Sequence, residues 1–340
     1  MLSIRRFLLY IVIFLIIVLV VPIKETAPMT SLQKQLQSSV DGWSSNKTAT
    51  NDALKVPNKQ DFAVNNIQMN MAKQDVEHKL GKAKRVTSNE YGTQWYTYHS
   101  DNYRAFVMVS YIDDKVNALY SNQNVISAKS KIKYGTPKQI VRDRLGEPIK
   151  EKQKGNVKFD VQDDEYDNFH KDRIYTTAFY DKHENNNLTA LLQVSDKMES
   201  QLQQQYGAPS EGLAQSFELQ NYDLVNAERV QHDLSPLTYS SSISDTARKH
   251  SKDMADHNYF DHNNLSGESP FDRLEADGHD FNAAGENLAY GQPSSIYAHQ
   301  GLMNSLGHRK NILKEAFSTL GVGVDFNDNR QPYWTENYTG

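Results

Sequence analysis

The pattern of apolar and polar residues divides the chain into four segments. An uninterrupted apolar run covers residues 7–21, directly after Arg5 and Arg6. Residues 24–60 are rich in Gln, Ser, Asn, Thr and Lys, with few apolar positions. After residue 60, the apolar residues have spacings typical of helices and strands. The pattern predicts a transmembrane signal anchor over residues 1–23 and a flexible linker over residues 24–60.

The apolar run also predicts where the protein is located. It has 15 residues, fewer than the roughly 20 that span a bilayer core, but neighbouring Leu2, Ile4 and Ile23 extend it. The positive flank favours a cytoplasmic amino terminus and export of the chain beyond the run. Small residues of a cleavage site do not come after the run, so we expect a single-pass protein of the cell membrane with its C-terminal domains outside. Secretion after signal cleavage is the alternative.

Residues 61–200 contain a sequence repeat. The segment from Ile67 to Gly81 matches the segment from Ile132 to Gly146 at a constant offset of 65 residues. In each copy, a Val and a Leu four residues apart form a helical apolar stripe that ends at the glycine. β-rich sequence follows both copies. The repeat predicts a duplicated helix-plus-sheet domain of the α+β class.

Residues 212–340 show helical spacing first and strand spacing last. The four predicted helices are marked by Leu219, Tyr222, Val225 and Val230; by Ile243, Ala247, His250 and Met254; by Ser269, Pro270 and Gly278; and by Ile296, Leu302, Met303 and Leu306, the last ending at Gly307. Residues 320–326 and 333–338 have strand character. This order predicts a layered α-β-α sandwich.

Composition and charge narrow the class of function. The formal net charge of −5 gives no broad basic surface, so we expect no nucleic-acid partner. The absence of cysteine from the sequence excludes a disulfide scaffold, a thiol nucleophile and a thiolate metal site. Seven of the eleven histidines lie after residue 230, which places histidine chemistry in the C-terminal domain.

Three residues in that domain form the candidate site. His262 ends Tyr259-Phe-Asp-His, Glu286 is the centre of Gly285-Glu-Asn287, and His308 follows Gly307. Neutral imidazoles suit zinc-like ions, and a carboxylate either ligates the ion or fixes an imidazole tautomer. If a cofactor is bound, these residues favour a divalent metal such as zinc. A hydrogen-bonded network that braces the cleft is an equally weighted alternative.

Several motifs occur together in the order of a known family. They are Asn226-x-x-Arg229, Leu234-x-Pro236-Leu237, Tyr259-Phe-Asp-His262, Ser269-Pro-Phe-Asp-Arg273, Gly285-Glu-Asn-Leu288, Ser305-x-Gly-His308-Arg-x-Asn311-Ile-Leu313 and Gly321-Val-Gly-Val324. Residues 219–340 thereby resemble the bacterial branch of the CAP superfamily (cysteine-rich secretory, antigen 5 and pathogenesis-related proteins, the SCP domain). The repeated unit, over residues 62–195, is similar to the CAP-associated N-terminal domain.

The resemblance implies a central cleft with two histidines and two acidic residues. His262, Glu286 and His308 match three of these positions. The second glutamate of the eukaryotic pattern falls on Ser305, and Glu268 is a nearby acid that could substitute for it. The resemblance therefore puts complete metal coordination of the eukaryotic type in doubt.

The leading functional hypothesis is a non-enzymatic module whose cleft binds a divalent metal, a lipid or a cell-envelope component. The enzyme alternative is a metal-assisted, peptidase-like hydrolase at the cell envelope, with Glu286 as general base and both histidines as ligands or as an acid–base pair. A third hypothesis is a protein-docking module that uses the repeat domain. The expected partners are the cytoplasmic membrane, through the N-terminal helix, and a cell-wall, lipid or protein ligand.

Overall fold

The computed structural model describes residues 53–154 and 157–340. The predicted anchor over residues 1–23 and most of the predicted linker over residues 24–60 lie outside these ranges. Within them, no helix combines the length and the apolar character needed to cross a membrane.

The first part of the described chain is rich in strands. Its elements in chain order are β1 (Phe62–Val64), α1 (Lys73–Leu80), β2 (Arg85–Ser88), β3 (Gln94–Tyr98), β4 (Val107–Ile112), β5 (Lys115–Ser121), β6 (Ile126–Ala128), α2 (Lys138–Leu145), β7 (Glu151–Lys154), β8 (Val157–Asp160), β9 (Tyr166–Lys171), β10 (Ile174–Asp181), β11 (Asn187–Ser195) and α3 (Asp196–Glu199). Seven strands form one antiparallel sheet in the order β2-β3-β4-β5-β11-β10-β9.

This sheet has the pseudo-symmetry that the sequence repeat predicts. The β3-β4-β5 half and the β9-β10-β11 half meet where β5 pairs with β11. The residue before α1, Ala72, bridges to Lys115 at the start of β5, and the equivalent Pro137 bridges to Asn187 at the start of β11. The two copies therefore place their helices equivalently, one beside each hairpin.

The second part forms the three-layer domain. Its elements are α4 (Glu211–Gln231), β12 (Thr238–Tyr239), α5 (Ser241–His257), α6 (Pro270–Ala276), β13 (Ala284–Tyr290), α7 (Ser295–Asn304), α8 (Leu306–Ile312), β14 (Thr319–Phe326) and β15 (Pro332–Thr339). The strand order is β12-β14-β15-β13. Val322 and Val324 of β14 share an apolar core with Phe217 and Val225 of α4. The helix α5 covers the opposite face, as expected for an α-β-α sandwich.

Two glycines of β14 determine how closely α5 approaches the sheet. A Cβ added to Gly321 would lie 2.4 Å from the backbone of Ile243, and one added to Gly323 would lie 2.0 Å from the backbone nitrogen of Arg248. Real Cβ atoms do not approach backbone atoms this closely. The Gly-Val-Gly-Val pattern therefore presents glycine to α5 and valine to α4.

Two predictions about the C-terminal domain were incomplete or wrong. Gly307 does not end the fourth helix, because α7 ends at Asn304 and Gly307 lies inside α8. Ser305 between the two helices has extended backbone angles, φ −94° and ψ 115°, which interrupt the helical path. The sequence also did not predict β13. Gly, Glu and Asn are poor strand formers, and pairing with β15 overrides that preference.

Residues Asp52–Gly340 form one compact unit, in which α4 packs against the strand-rich part. Arg85 of β2 forms an ion pair with the buried Asp223 of α4, at 2.8 Å. Asn122, which follows β5, donates a 2.8 Å hydrogen bond to Glu228 of the same helix. These buried polar contacts fix the position of α4 relative to the strand-rich part.

Candidate functional site

His262 lies in the loop that follows α5, and two neighbouring elements hold that loop. His250 of α5 donates from Nε2 to the carbonyl oxygen of Asp261, at 3.0 Å. Arg273 of α6 donates from Nη1 to the carbonyl oxygens of His262, at 2.8 Å, and Glu268, at 3.0 Å. The capped α6 helix, with Ser269 as N-cap, thus positions the arginine that fixes the His262 backbone.

The structure brings His262 and Glu286 into direct contact. Nδ1 of His262 lies 2.8 Å from Oε1 of Glu286, and Nη2 of Arg273 lies 2.7 Å from Oε2. The Glu286 side chain is 1% exposed, whereas the His262 side chain is 52% exposed. The carboxylate of Glu286 accepts this hydrogen bond, so Nδ1 of His262 carries the proton. Nε2 of the same ring is not used in this bond and can contact a ligand in the cleft.

The two candidate histidines have opposite electrostatic environments. The hydrogen bond to Glu286 raises the pKa of His262 above its ordinary value. Burial lowers the pKa of His308, and the charge of nearby His262 lowers it further. The cleft therefore holds one imidazole that favours the charged form and one that favours the neutral form.

A fourth polar group, Glu336, was missed by the sequence analysis. It lies on β15, is fully buried, and accepts hydrogen bonds through Oε2 from Asn287, at 2.9 Å, and Tyr338, at 2.6 Å. Asn287 also donates to the carbonyl oxygen of His308, at 3.1 Å. Oε1 of Glu336 and Nδ1 of His308 have no hydrogen-bond partner within the described chain. The sequence did contain a signal for Glu336, because a charged residue between the aromatic residues Trp334 and Tyr338 of a buried strand is unusual.

The other two candidates lie outside this cluster. The side chain of Glu268 is exposed and accepts a hydrogen bond from Asn264, at 2.6 Å. Ser305 occupies the break between α7 and α8. Ser305 has no carboxylate, and a contribution of Glu268 to the site stays a prediction. Glu336 is linked to His308 through Asn287, whose amide donates both to the Glu336 carboxylate and to the His308 carbonyl oxygen.

Asn311 links the two halves of the cleft. Its amide donates to the carbonyl oxygen of Glu286, at 3.2 Å, and to Oδ1 of Asn287, at 2.9 Å. Arg229 and Asn226 instead bond backbone groups, among them the carbonyl of Ile312 and both backbone groups of Leu237. These asparagines and the arginine hold the helices and loops from which the cleft is built.

The predicted metal centre requires several ligands that point to one position. In the part of the chain that the structure describes, no group of three or more histidine, aspartate or glutamate side chains could hold a metal ion. Both oxygens of Glu286 already accept hydrogen bonds, one of them from a cationic arginine. The assignment of His262, Glu286 and His308 as metal ligands stays a prediction.

Exposed apolar side chains accompany the polar groups of the cleft. Each lies within four residues of His262, Arg273, Glu286 or His308 in the sequence: Phe260, Leu265, Phe271, Tyr290 and Leu306. The rings of Phe260 and Tyr290 lie 5.8 Å apart and join the His262 loop to β13. These two rings form a small exposed apolar surface next to the loop that carries His262.

The fold and the cleft define a class of protein, and family profiles identify the same class. The CAP-associated N-terminal profile matches residues 69–206, and the profile of the cysteine-rich secretory protein family (CAP) matches residues 222–338. The chain therefore belongs to the CAP-domain proteins that carry a CAP-associated N-terminal domain.

Particular relatives come from Bacillus subtilis (strain 168). The chain is 28% identical over 284 residues to the "uncharacterized membrane protein YlbC", covering 78% of this chain and 80% of the relative. It is 41% identical over 133 residues to the "uncharacterized protein YkwD", covering 39% of this chain and 50% of that relative. The second match thus spans about half of YkwD.

Solved structures share the whole described architecture. The chain is similar to an extracellular SCP-domain protein from Bacillus anthracis str. Ames, with 26% identity and a TM-score of 0.70, over 86% of this chain and 99% of the other. A cysteine-rich secretory protein from Staphylococcus aureus gives a TM-score of 0.61 at 15% identity, over 80% and 91% of the two chains. The latter match shows the fold alone.

Proposed function

We propose that this CAP-domain protein works outside the cytoplasm as a non-enzymatic module that binds an amphiphilic component of the cell envelope. Similarity to a relative named as a membrane protein and to one named as extracellular supports the location. The charged segment followed by an apolar run at residues 5–21 supports it independently.

The observation that carries the proposal is the bonding of Glu286. A general base needs a carboxylate oxygen that is free to accept a proton from substrate or water. Each oxygen of Glu286 instead already accepts a hydrogen bond, one from His262 and one from the cationic Arg273, and the side chain is only 1% exposed, which leaves substrate or water little access to it. This arrangement supports a role for Glu286 in orienting the half-exposed His262 toward a ligand.

The surroundings of the cleft support an amphiphile as that ligand. His262 offers Nε2 of its half-exposed imidazole to a polar or anionic head group, and its hydrogen bond to Glu286 raises the pKa of that imidazole. The exposed ring of Phe260, two residues before His262 and 5.8 Å from the ring of Tyr290, offers apolar surface to an acyl chain. A lipid or lipid-linked envelope component combines both properties.

Calorimetric titration of residues 52–340 with monomeric lysophosphatidylglycerol tests the proposal. We expect saturable binding that is at least about tenfold weaker in the His262→Ala/His308→Ala variant, the loss expected when a charged hydrogen-bond donor is removed. His78→Ala is the matched control, because His78 is an exposed histidine at the end of α1 and should leave the affinity unchanged. Equal affinity in the wild-type protein and the double variant would refute binding at this cleft.

A hydrolase is the second candidate, and the opposite pKa shifts of His262 and His308 favour it. Two titratable groups whose environments separate their pKa values can act as an acid and a base. Turnover of peptidoglycan or peptide substrates by the wild-type protein, abolished by His308→Ala, would establish this function and overturn the non-enzymatic proposal. A parallel zinc titration of the same variants would test the predicted metal ligands.

A further inference from the structure

The connection between β10 and β11 breaks the symmetry of the duplicated domain. In the first copy, Asp113 and Asp114 alone join β4 to β5, whereas residues 182–186 join β10 to β11 in the second copy. Asp113 forms an ion pair with Lys197. The carbonyl oxygen of Asp114 accepts from the backbone nitrogen of Lys73. Both of these partners belong to the strand-rich part. The longer second turn instead contacts the C-terminal domain.

The second turn bonds the end of α7 through one residue, Asn304. The side-chain amide of Asn304 donates to the carbonyl oxygen of Tyr180, at 2.9 Å, and its Oδ1 accepts from the backbone nitrogen of Lys182, at 2.8 Å. Nε2 of His183 lies 3.1 Å from the carbonyl oxygen of Asn304. Because the side chain and the backbone of Asn304 both take part, the last residue of α7 is fixed to the strand-rich part.

The same turn holds α8 through Arg309, the neighbour of His308. Nη1 of Arg309 forms an ion pair with Oδ2 of Asp181, and Nη2 lies 3.4 Å from Oε1 of Glu184. The side chains of Arg309 and Asp181 are 11% and 6% exposed. Oδ1 of Asp181 accepts from the backbone nitrogen of His183, at 2.7 Å. One buried carboxylate therefore fixes both the turn and the arginine.

The two ends of α8 are held by different parts of the protein. Asn311 donates to the backbone of β13, and Ile312 is fully buried, so the C-terminal domain itself holds the second end. At the first end, the side chain of Ser305 makes no cap hydrogen bond with the described residues, and Leu306–Gly307 is exposed. The half of α8 that carries His308 therefore depends on the contacts with the turn.

We propose that the strand-rich domain positions His308 in the cleft, with Asp181 and Arg309 as the positioning residues. Adjacent residues leave a helix about 100° apart, so Arg309 reaches the strand-rich part while His308 serves the cleft. A shift of the arginine moves the imidazole with it. Groups that contact a ligand must be held to within about 0.5 Å, which makes such a shift matter for binding. The inference rests on the proposed function only for this effect on binding.

Imidazole NMR signals of His308, recorded on residues 52–340 without ligand at one fixed pH, test the proposal. We expect Asp181→Asn to shift these signals, together with the side-chain amide signals of Asn287, which donates to the His308 carbonyl. Arg85→Gln is the matched control, because it breaks another ion pair between the strand-rich part and the C-terminal domain, on α4. It should leave the same signals in place, since changes at separate sites act independently.

Glu184→Gln is a milder variant, because the Glu184 side chain is 36% exposed and lies 3.4 Å from Arg309. It should shift the same signals less, and it keeps the test decisive if Asp181→Asn does not fold. With lysophosphatidylglycerol, we expect Asp181→Asn to bind at least about threefold more weakly than Arg85→Gln.

Three outcomes would overturn the proposal. They are unchanged His308 signals in both turn variants, equal shifts in Arg85→Gln, and equal affinity of Asp181→Asn and Arg85→Gln for a lipid that the wild-type protein binds. The NMR measurement needs no ligand. A wild-type protein that binds no lipid would therefore refute the proposed function, while shifted His308 signals would still support the positioning role.

Discussion

His262 and Glu286 form a pair in which a half-exposed imidazole is tied to a fully buried carboxylate, with Nδ1 and Oε1 2.8 Å apart. Arg273 occupies the second oxygen of Glu286 and also holds the His262 carbonyl. The glutamate thus fixes the ring while the arginine fixes the backbone. The position of His262 depends on a charged network beneath the surface.

Removing the Glu286 carboxylate should destabilise the protein. We expect Glu286→Ala to lower the free energy of unfolding by about 3–5 kcal/mol, because it leaves the buried Arg273 without its countercharge. Glu286→Gln keeps the shape and one acceptor oxygen, so its cost should be smaller, about 1–3 kcal/mol. Urea unfolding of residues 52–340 measures both. Equal stability of the alanine variant and the wild-type protein would contradict this account of the network.

The contribution of His262 to stability should depend on pH. Its pKa is raised in the folded protein by the bond to Glu286, so its stabilising effect is complete below the unfolded value of about 6.5 and is lost as pH rises through the folded value. The loss caused by His262→Ala should therefore be larger near pH 5.5 than near pH 8.5. Parallel urea titrations at both pH values measure the difference, and a pH-independent loss would argue against the pair.

The contribution of Glu90, in the loop between β2 and β3, to the pH dependence of stability should have the opposite sign to that of an ordinary paired carboxylate. Burial raises its pKa from 4.5 to about 7, and its Oε2 has no partner within the described chain. The folded state then binds more protons than the unfolded state between these values, so stability falls as pH rises. We expect Glu90→Gln to stabilise the protein by up to about 3 kcal/mol near pH 8.5 and very little near pH 4. Equal effects in thermal melts at both pH values would contradict the raised pKa.

The contact between α5 and β14 should not tolerate a methyl group. Gly323→Ala would place a Cβ 2.0 Å from the backbone of Arg248, and neither element can yield locally. We expect destabilisation of about 3 kcal/mol or more, at the upper end of overpacking effects. The matched control is Gly212→Ala, where a Cβ meets nothing within 4 Å near the start of α4. The Gly212→Ala variant should be as stable as the wild-type protein or more stable by up to about 1 kcal/mol. Similar thermal melts for the two variants would refute the packing argument.

Some of the site could be predicted because its residues lie in short, recognisable motifs. Local sequence identified His262, Glu286 and His308, and the helical stripe of α5 that precedes His262. It did not identify Glu336, because a strand pattern says which face a residue occupies but not what lies opposite that face. Nor did it reveal that Arg273 forms an ion pair with Glu286, since that bond joins α6 to β13 across a loop.

The sequence alone predicts the repeated helix-plus-sheet arrangement and most helices of the C-terminal domain, because spacings of apolar residues, capping residues and glycines act over a few residues. The class of that domain is what the resemblance of its motifs to the CAP superfamily implies. The tertiary structure alone decided that β13 is a strand, that α7 and α8 are separate, and that Asn287 links Glu336 to His308. Those outcomes depend on pairing and burial between distant segments, whose energies no local pattern contains.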